Sequence, residues 1–237
     1  MRFENVFIPY RAYWSTPFCR WQGSLAGSHA VKLAAECATK SLAKSGAAPD
    51  ELEGIHFGIT VPQRQSFYGA PWLSALMGAP HVTGPTISQA CATSARVLAS
   101  AAASVELKSA TLNLAIAADK ISNGPHIYYP NPNGPGGMGE QENWVWDNFN
   151  KDPYGGTAMI QTAENVAAKF DISRVEQDDL TVRRSEQYKQ ALADDCAFQR
   201  GYMQAVELKS CRAITTIAED EGVAETVAEK IAGHAGA

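Results

Sequence analysis

The sequence predicts an α/β protein, with helices on both faces of a mainly parallel sheet, and three observations lead there. Over the first 120 residues, strand-like and helix-like runs alternate in the order β-α-β-α-β-α-β, the pattern of a sheet whose parallel strands are joined by crossover helices. One of those strands, 111–118 (TLNLAIAA), is almost wholly apolar, as strands covered on both faces are. Finally, a short β-type run, Thr86-Ile87-Ser88-Gln89-Ala90, ends at Cys91, and an alanine-rich stretch begins at once. That junction puts the cysteine at the carboxyl end of a strand, where such sheets gather their ligands.

In chain order, residues 3–8 (FENVFI) are expected to form the first strand. An irregular, aromatic-rich segment carries the chain to Leu25, and Ser28 is placed to cap a helix over 29–45. Val31, Leu33 and Leu42 give that helix a modest apolar face, and Gly46 closes it. The run 55–61 is apolar enough for a buried strand. Residues 67–78 read as a helix, and Pro80 and Pro85 frame a turn before the strand that delivers Cys91. The alanine-rich helix then runs to Leu107, and strand 111–118 completes the alternation.

Composition changes at Asp119. From Ser122 to Gly156 the chain is dense in Gly, Pro, Asn and Tyr and holds Trp144 and Trp146. A structureless segment of this length is expected to cover a site or an interface. Helical patterning returns over 157–170 and again over 173–192, where Ser173 and Glu176 have the spacing of a capping box. The acidic and basic residues of that helix, among them Asp178, Arg183 and Arg184, read as its solvated face. A last helix is expected over 219–232.

The formal net charge of −5, with no run of Lys or Arg, argues against nucleic acid as a partner. Five cysteines, widely spaced and without CxxC, make neither a disulfide scaffold nor a zinc site. The N-terminus lacks the basic-then-apolar pattern of a signal peptide, and no apolar run reaches the roughly 18 residues of a membrane span. The expectation is a cytoplasmic protein without a membrane segment, in a reducing compartment.

Cys91 has two readings. A cysteine where a strand gives way to a helix meets backbone N–H groups and the positive end of the helix dipole, which favour thiolate over thiol. Small residues at 92, 94 and 95 would let a thioester carbonyl approach closely. The alternative is a small buried hydrophobe, as free cysteines often are. Accessibility of the sulfur separates the two.

Four stretches together resemble the N-terminal part of the thiolases, the acyl-CoA acyltransferases that make or cleave 3-ketoacyl-CoA. Gln89-Ala90-Cys91-Ala92-Thr93-Ser94-Ala95 is similar to the family's nucleophile cysteine with its Gly-Ser-Gly. Ala117-Ala118-Asp119-Lys120-Ile121-Ser122 stands where thiolases have Gly-Gly-x-Glu-Ser-Met-Ser. Met159-Ile160-Gln161-Thr162-Ala163-Glu164-Asn165-Val166-Ala167 resembles Met-Gly-x-Thr-Ala-Glu-Asn-Val-Ala, and Ile172-Ser173-Arg174 with Gln177, Asp178 and Ser185 resembles Ile-Ser-Arg-x-x-Gln-Asp with its Ser. Thr16-Pro17-Phe18 matches the first loop.

The resemblance implies a thiolase-like βαβαβαβ core domain over 1–120, with a mixed sheet, and an inserted loop domain over 121–237 that helps bind coenzyme A. It implies that Cys91 takes the acyl group, that Met159 lines the acyl pocket, and that acyl-CoA is substrate rather than resident cofactor. Ala92, Ala95 and Ile160 replace family glycines, and Ala158 stands where many biosynthetic thiolases have His, so a different acyl pocket is expected. The family's Asn-Glu-Ala-Phe, Gly-His-Pro and Cys-x-Gly-Gly motifs do not occur in this chain.

Thiolysis and Claisen condensation need a base for the thiol, donors for each oxyanion, and a second acid/base group. The chain's own histidines, His29, His56, His81, His126 and His234, give no convincing base from sequence. The expectation is therefore one subunit of a split, hetero-oligomeric thiolase whose partner carries the C-terminal half; a truncated longer enzyme gives the same sequence. The rival class is a non-catalytic thiolase-like subunit that binds acyl-CoA or orders a partner. A ketoacyl or hydroxymethylglutaryl synthase is disfavoured by the 162–165 and 172–174 runs, which resemble the thiolase loop domain. Arg174, Arg183, Arg184, Lys189, Arg200 and Arg212 are the cations available for coenzyme A phosphates, none singled out; metal ligands are not expected.

Overall fold

A computed structural model describes residues 2–209, 213–224, 226 and 231. The chain runs through helix α1 (Ala30–Lys44), strand β1 (Gly54–Gly58), helix α2 (Ala70–Leu76), strand β2 (Thr86–Ile87), helix α3 (Thr93–Glu106) and strand β3 (Asn113–Ala117). The three strands form one sheet in the order β2-β1-β3, with both pairings parallel. Side chains alternate between sheet faces, and the two faces carry different helices. Ile55, Phe57 and Ile59 join Leu114 and Ile116 against Val31, Ala34 and Ala38 of α1 and Ala70, Leu73 and Met77 of α2. Burying a side chain such as Ile55 or Phe57, both fully enclosed, stabilises the fold by about 1.5–3 kcal/mol each.

The opposite face meets α3. His56 Nδ1 hydrogen-bonds Ser100 Oγ at 3.0 Å, and Asn113 Nδ2 donates to Ala101 O at 3.3 Å. At Gly58 a Cβ would come within 2.8 Å of Thr93 Cγ2 and Val97 Cγ2. The glycine therefore lets α3 lie directly on β1. This is the α/β arrangement expected, with helices on both faces. The core sheet is wholly parallel, and among the described residues antiparallel pairing is confined to two separate ribbons.

Three expected details differ. Residues 3–8 join no strand ladder: the backbone N–H groups of Glu4 and Asn5 donate to the Glu106 carboxylate at 3.2 and 2.9 Å. Phe7 and Ile8 stand exposed and border a cleft of about 560 Å³ that also touches Leu114 and Ile116 of β3. Ser28 does not cap α1; its N–H closes a turn to Leu25 O, so the helix starts past it with His29 as N-cap and no side-chain cap. Gly46 does end α1, with the left-handed φ of +74° that favours glycine.

The segment 122–156 is not structureless. It forms the antiparallel pair β4 (His126–Tyr129) and β5 (Glu140–Asn143), then the short helix α4 (Trp146–Asn150). Helices α5 (Met159–Lys169) and α6 (Arg174–Ala191) follow where the sequence put them. The Ser173–Glu176 capping box forms in both directions. Helix α7 (Ala193–Arg200) opens with Asp194, Asp195 and Cys196 in left-handed conformations, which the expected pattern did not include. Strands β6 (Val206–Lys209) and β7 (Ile214–Ile217) pair antiparallel, and Val206 and Ile217 pack with Cys37 of α1. The helix expected over 219–232 falls partly outside the described residues, and 219–224 are not helical. Among the described residues no helix is long and apolar enough to cross a membrane.

Candidate active site

Beyond β2 the chain turns sharply. Gln89 has φ −145° and ψ 45°, Ala90 has φ 44°, and Ala90–Ala92 form one 3-10 turn that feeds α3. A left-handed residue with a Cβ costs roughly 1–2 kcal/mol, so Ala90 must be held. Two hydroxyls do so: Thr93 Oγ1 donates to Ala90 O at 2.7 Å, and Thr60 Oγ1 approaches the same oxygen at 3.3 Å. The two hydroxyls lie 3.1 Å apart, and Thr93 Oγ1 also accepts from Gln89 N at 2.8 Å. Farther out, Arg96 Nε donates to Gln89 Oε1 at 2.7 Å.

Cys91 lies on this turn and is exposed. The buried-hydrophobe reading of that cysteine is set aside by its position. Among the described residues the buried thiol is Cys37, pushed up to about 11 first by burial and then by the neighbouring Glu36. Burial, followed by Glu221, raises Cys19 as well. Neither group is placed to ionise readily.

The end of β3 is tied to the end of β1. Asp119 accepts from Thr60 N at 2.9 Å and from Val61 N at 2.8 Å. Thr60 O in turn accepts the indole N–H of Trp144 at 3.1 Å. Thus Thr60 touches three elements: the β3 terminus, the cysteine turn and the covering segment. Sequence reading missed Thr60, because a lone threonine after a strand has no motif. Its one signal was a hydroxyl just past the carboxyl end of the strand next to the one that delivers Cys91.

Met159 is the first residue of α5 and about half exposed, at 47%. Helix α5 makes no extensive contact with α3, so the two singled-out residues stand on separately packed elements. Among the described residues the histidines do not converge on Cys91 through any hydrogen bond. His29 Nε2 donates to Arg64 O at 2.6 Å, His81 Nε2 meets Asp50 O at 3.3 Å, and His56 is buried under α3, its pKa lowered by that burial. His126 lies on β4 beside Asn143, and His234 lies outside the described residues. Of the candidate phosphate-binding cations, Arg174 pairs with Asp178 at 2.7 Å and Arg200 with Asp195 at 2.6 Å, while Arg184 bonds Gln187. Arg212 lies outside the described residues. Among the described residues no group of His, Cys, Asp and Glu could hold a metal ion.

The turn thus presents an exposed cysteine at the carboxyl end of a parallel sheet. The chain belongs to the thiolase family: the family model for the thiolase N-terminal domain matches residues 12–236. It is 30% identical over 214 residues to an acetyl-CoA acetyltransferase of Paracoccus denitrificans, an alignment covering 87% of this chain and 52% of the relative. A mitochondrial acetyl-CoA acetyltransferase of Aspergillus fumigatus is 27% identical over 221 residues, covering 92% of this chain and 50% of that one. The chain therefore spans about half the length of the curated relatives it matches.

Solved structures share the fold. The acetyl-CoA acetyltransferase of Bacillus anthracis superimposes with a TM-score of 0.82 at 24% identity, over 92% of this chain and 55% of that one. Human mitochondrial 3-ketoacyl-CoA thiolase in complex with CoA gives 0.80 at 22%, over 92% and 55%.

Proposed function

We propose that this chain is the nucleophile-bearing part of an acyl-CoA acyltransferase that cleaves or forms 3-ketoacyl-CoA. The observation that carries the reading is the exposed Cys91 on the turn into α3, within the stretch that matches the thiolase N-terminal domain. In the first half-reaction of the thiolytic direction, the Cys91 thiolate adds to the C3 ketone carbonyl of a 3-ketoacyl-CoA. The C2–C3 bond breaks, so that an enolate of acyl-CoA leaves and takes up a proton. The acyl group, now a thioester on Sγ, passes to the thiol of coenzyme A, whose proton must be removed. Condensation runs the same bonds in reverse.

Both halves need a proton-handling group and oxyanion donors beside Cys91. No histidine of the described chain is hydrogen-bonded into the cysteine turn. We therefore assign those groups to a complementary thiolase C-terminal half, on a second polypeptide or on the rest of a longer one, in a hetero-oligomer in the first case. Residues 1–120 are read as the core domain and 121–237 as the loop domain, with Met159 facing the acyl chain and coenzyme A as substrate. The unpaired thiols of Cys19, Cys37, Cys91 and Cys196 support a reducing, cytoplasmic setting.

The test is direct. Mixed with labelled acetyl-CoA and the complementary half, the chain should carry an acetyl adduct on the peptide containing Cys91, and Cys91→Ser should lose it entirely. An inert Cys91 in that mixture, with acyl-CoA still bound, leaves the binding-subunit reading instead. Turnover of acetoacetyl-CoA by the chain alone would overturn the need for a second half.

A further inference from the structure

We propose that Thr60 is a positioning residue for Cys91, acting through the strained backbone of Ala90; this rests on the reading of Cys91 as nucleophile. The peptide that joins Ala90 to Cys91 carries the Ala90 carbonyl at one end and the Cys91 N–H at the other. Whatever fixes that carbonyl fixes the plane from which the Cys91 side chain departs. The carbonyl is approached by the hydroxyls of Thr93, in the first turn of α3, and of Thr60, just past β1. Thr93 moves with the helix that follows the cysteine. Thr60 is instead anchored from outside the turn: its N–H donates to Asp119 at the end of β3, and its carbonyl accepts from Trp144. The sheet thus supplies an external reference for a residue that, with φ 44°, would otherwise relax toward an ordinary conformation.

The arrangement also ties the covering segment to the site. Docking Trp144 and holding Ala90 use two atoms of one residue, Thr60 O and Thr60 Oγ1. The chain departs here from a solution open to any protein, a glycine at the left-handed position. It uses alanine and holds it with side-chain hydroxyls.

The experiment follows from that choice. The rate of iodoacetamide capture at Cys91 is read by mass mapping of the peptide that carries it, so that the other cysteines do not interfere. Thr60→Val should slow capture about fivefold, the fold-change that corresponds to losing one net hydrogen bond. Thr60→Ser, which keeps the hydroxyl, should restore it. Ala90→Gly placed in the Thr60→Val chain should restore it too, since glycine adopts the left-handed conformation without the strain a Cβ brings. A merely structural role for Thr60 would not be rescued by a change at residue 90. Thr60→Ala serves as a second variant should Val disturb folding, which far-UV circular dichroism reports.

Equal capture in wild type and Thr60→Val overturns the proposal and leaves the nucleophile reading standing. Slow capture that Ala90→Gly fails to restore overturns it as well. Cys91 that is inert in the wild-type chain removes the nucleophile reading itself, and the proposal with it.

Discussion

Two regions of this chain are both rich in helix, yet only one encloses a core. Between Ala30 and Ala117 the sheet is sandwiched, with Ile55, Phe57, Leu73 and Val97 nearly or fully buried. Between His126 and Arg200 the only buried residue is Gln199, and Ile160 and Val166 of α5, with Phe170 just after it, stand exposed. The second region owes its helices to local signals. The capping box at Ser173 satisfies the first turn of α6, and Arg174 pairs with Asp178 one turn on. The first region owes its fold to burial. Secondary structure in this chain is thus specified twice, by different physics, and substitutions should divide along the same line.

The largest effect belongs to the sandwiched sheet. Phe57→Ala should destabilise the fold by about 3–5 kcal/mol, read by urea unfolding, through lost transfer energy and a cavity between β1, α1 and α2. A loss of less than about 1 kcal/mol would break the distinction drawn here. His56 gives the next test. Burial lowers its pKa below the ordinary 6.5, so the folded state prefers the neutral ring. That preference is fully present above the unfolded value, and it is lost as the pH falls through it toward the folded one. Stability should therefore decline from pH 7.5 to pH 5, on top of any general acid effect, and His56→Gln should flatten that part of the profile.

Effects in the second region should be smaller and local. Ser173→Ala should cost about 1 kcal/mol, read as faster amide exchange in the first turn of α6 with little change around β1. Val166→Ala, on an exposed helix face, should stay within about 0.5 kcal/mol. A larger loss at Val166 would mean that α5 packs against something in solution.

The same division explains what could be read without coordinates. The strand within 55–61 and the helices at 159–169 and 174–191 were legible, because an apolar run, a 3.6-residue period and a capping box are local statements. Residues 3–8 were not, since their apolar pattern competes with the Glu106 carboxylate, which lies far off in sequence and takes their N–H groups. The β4–β5 pair escaped notice because ten residues rich in Pro and Gly separate its strands, without a two-residue turn signal. At the candidate site Cys91 was visible by its place and by family likeness. Thr60, and the part Asp119 plays beside it, were not, because hydrogen bonds across sheet ends leave no spacing to read.

Gly58 carries one more consequence. With no side chain at that point, α3 rests on bare β1 backbone opposite Thr93 and Val97, a few residues below the sulfur. The standoff of the helix from the strands, and with it the height at which the thiol meets solvent, is thereby set by an atom that is missing. Even a methyl at position 58 would act as a shim, lifting the front of the helix while leaving each residue of the cysteine turn chemically unchanged.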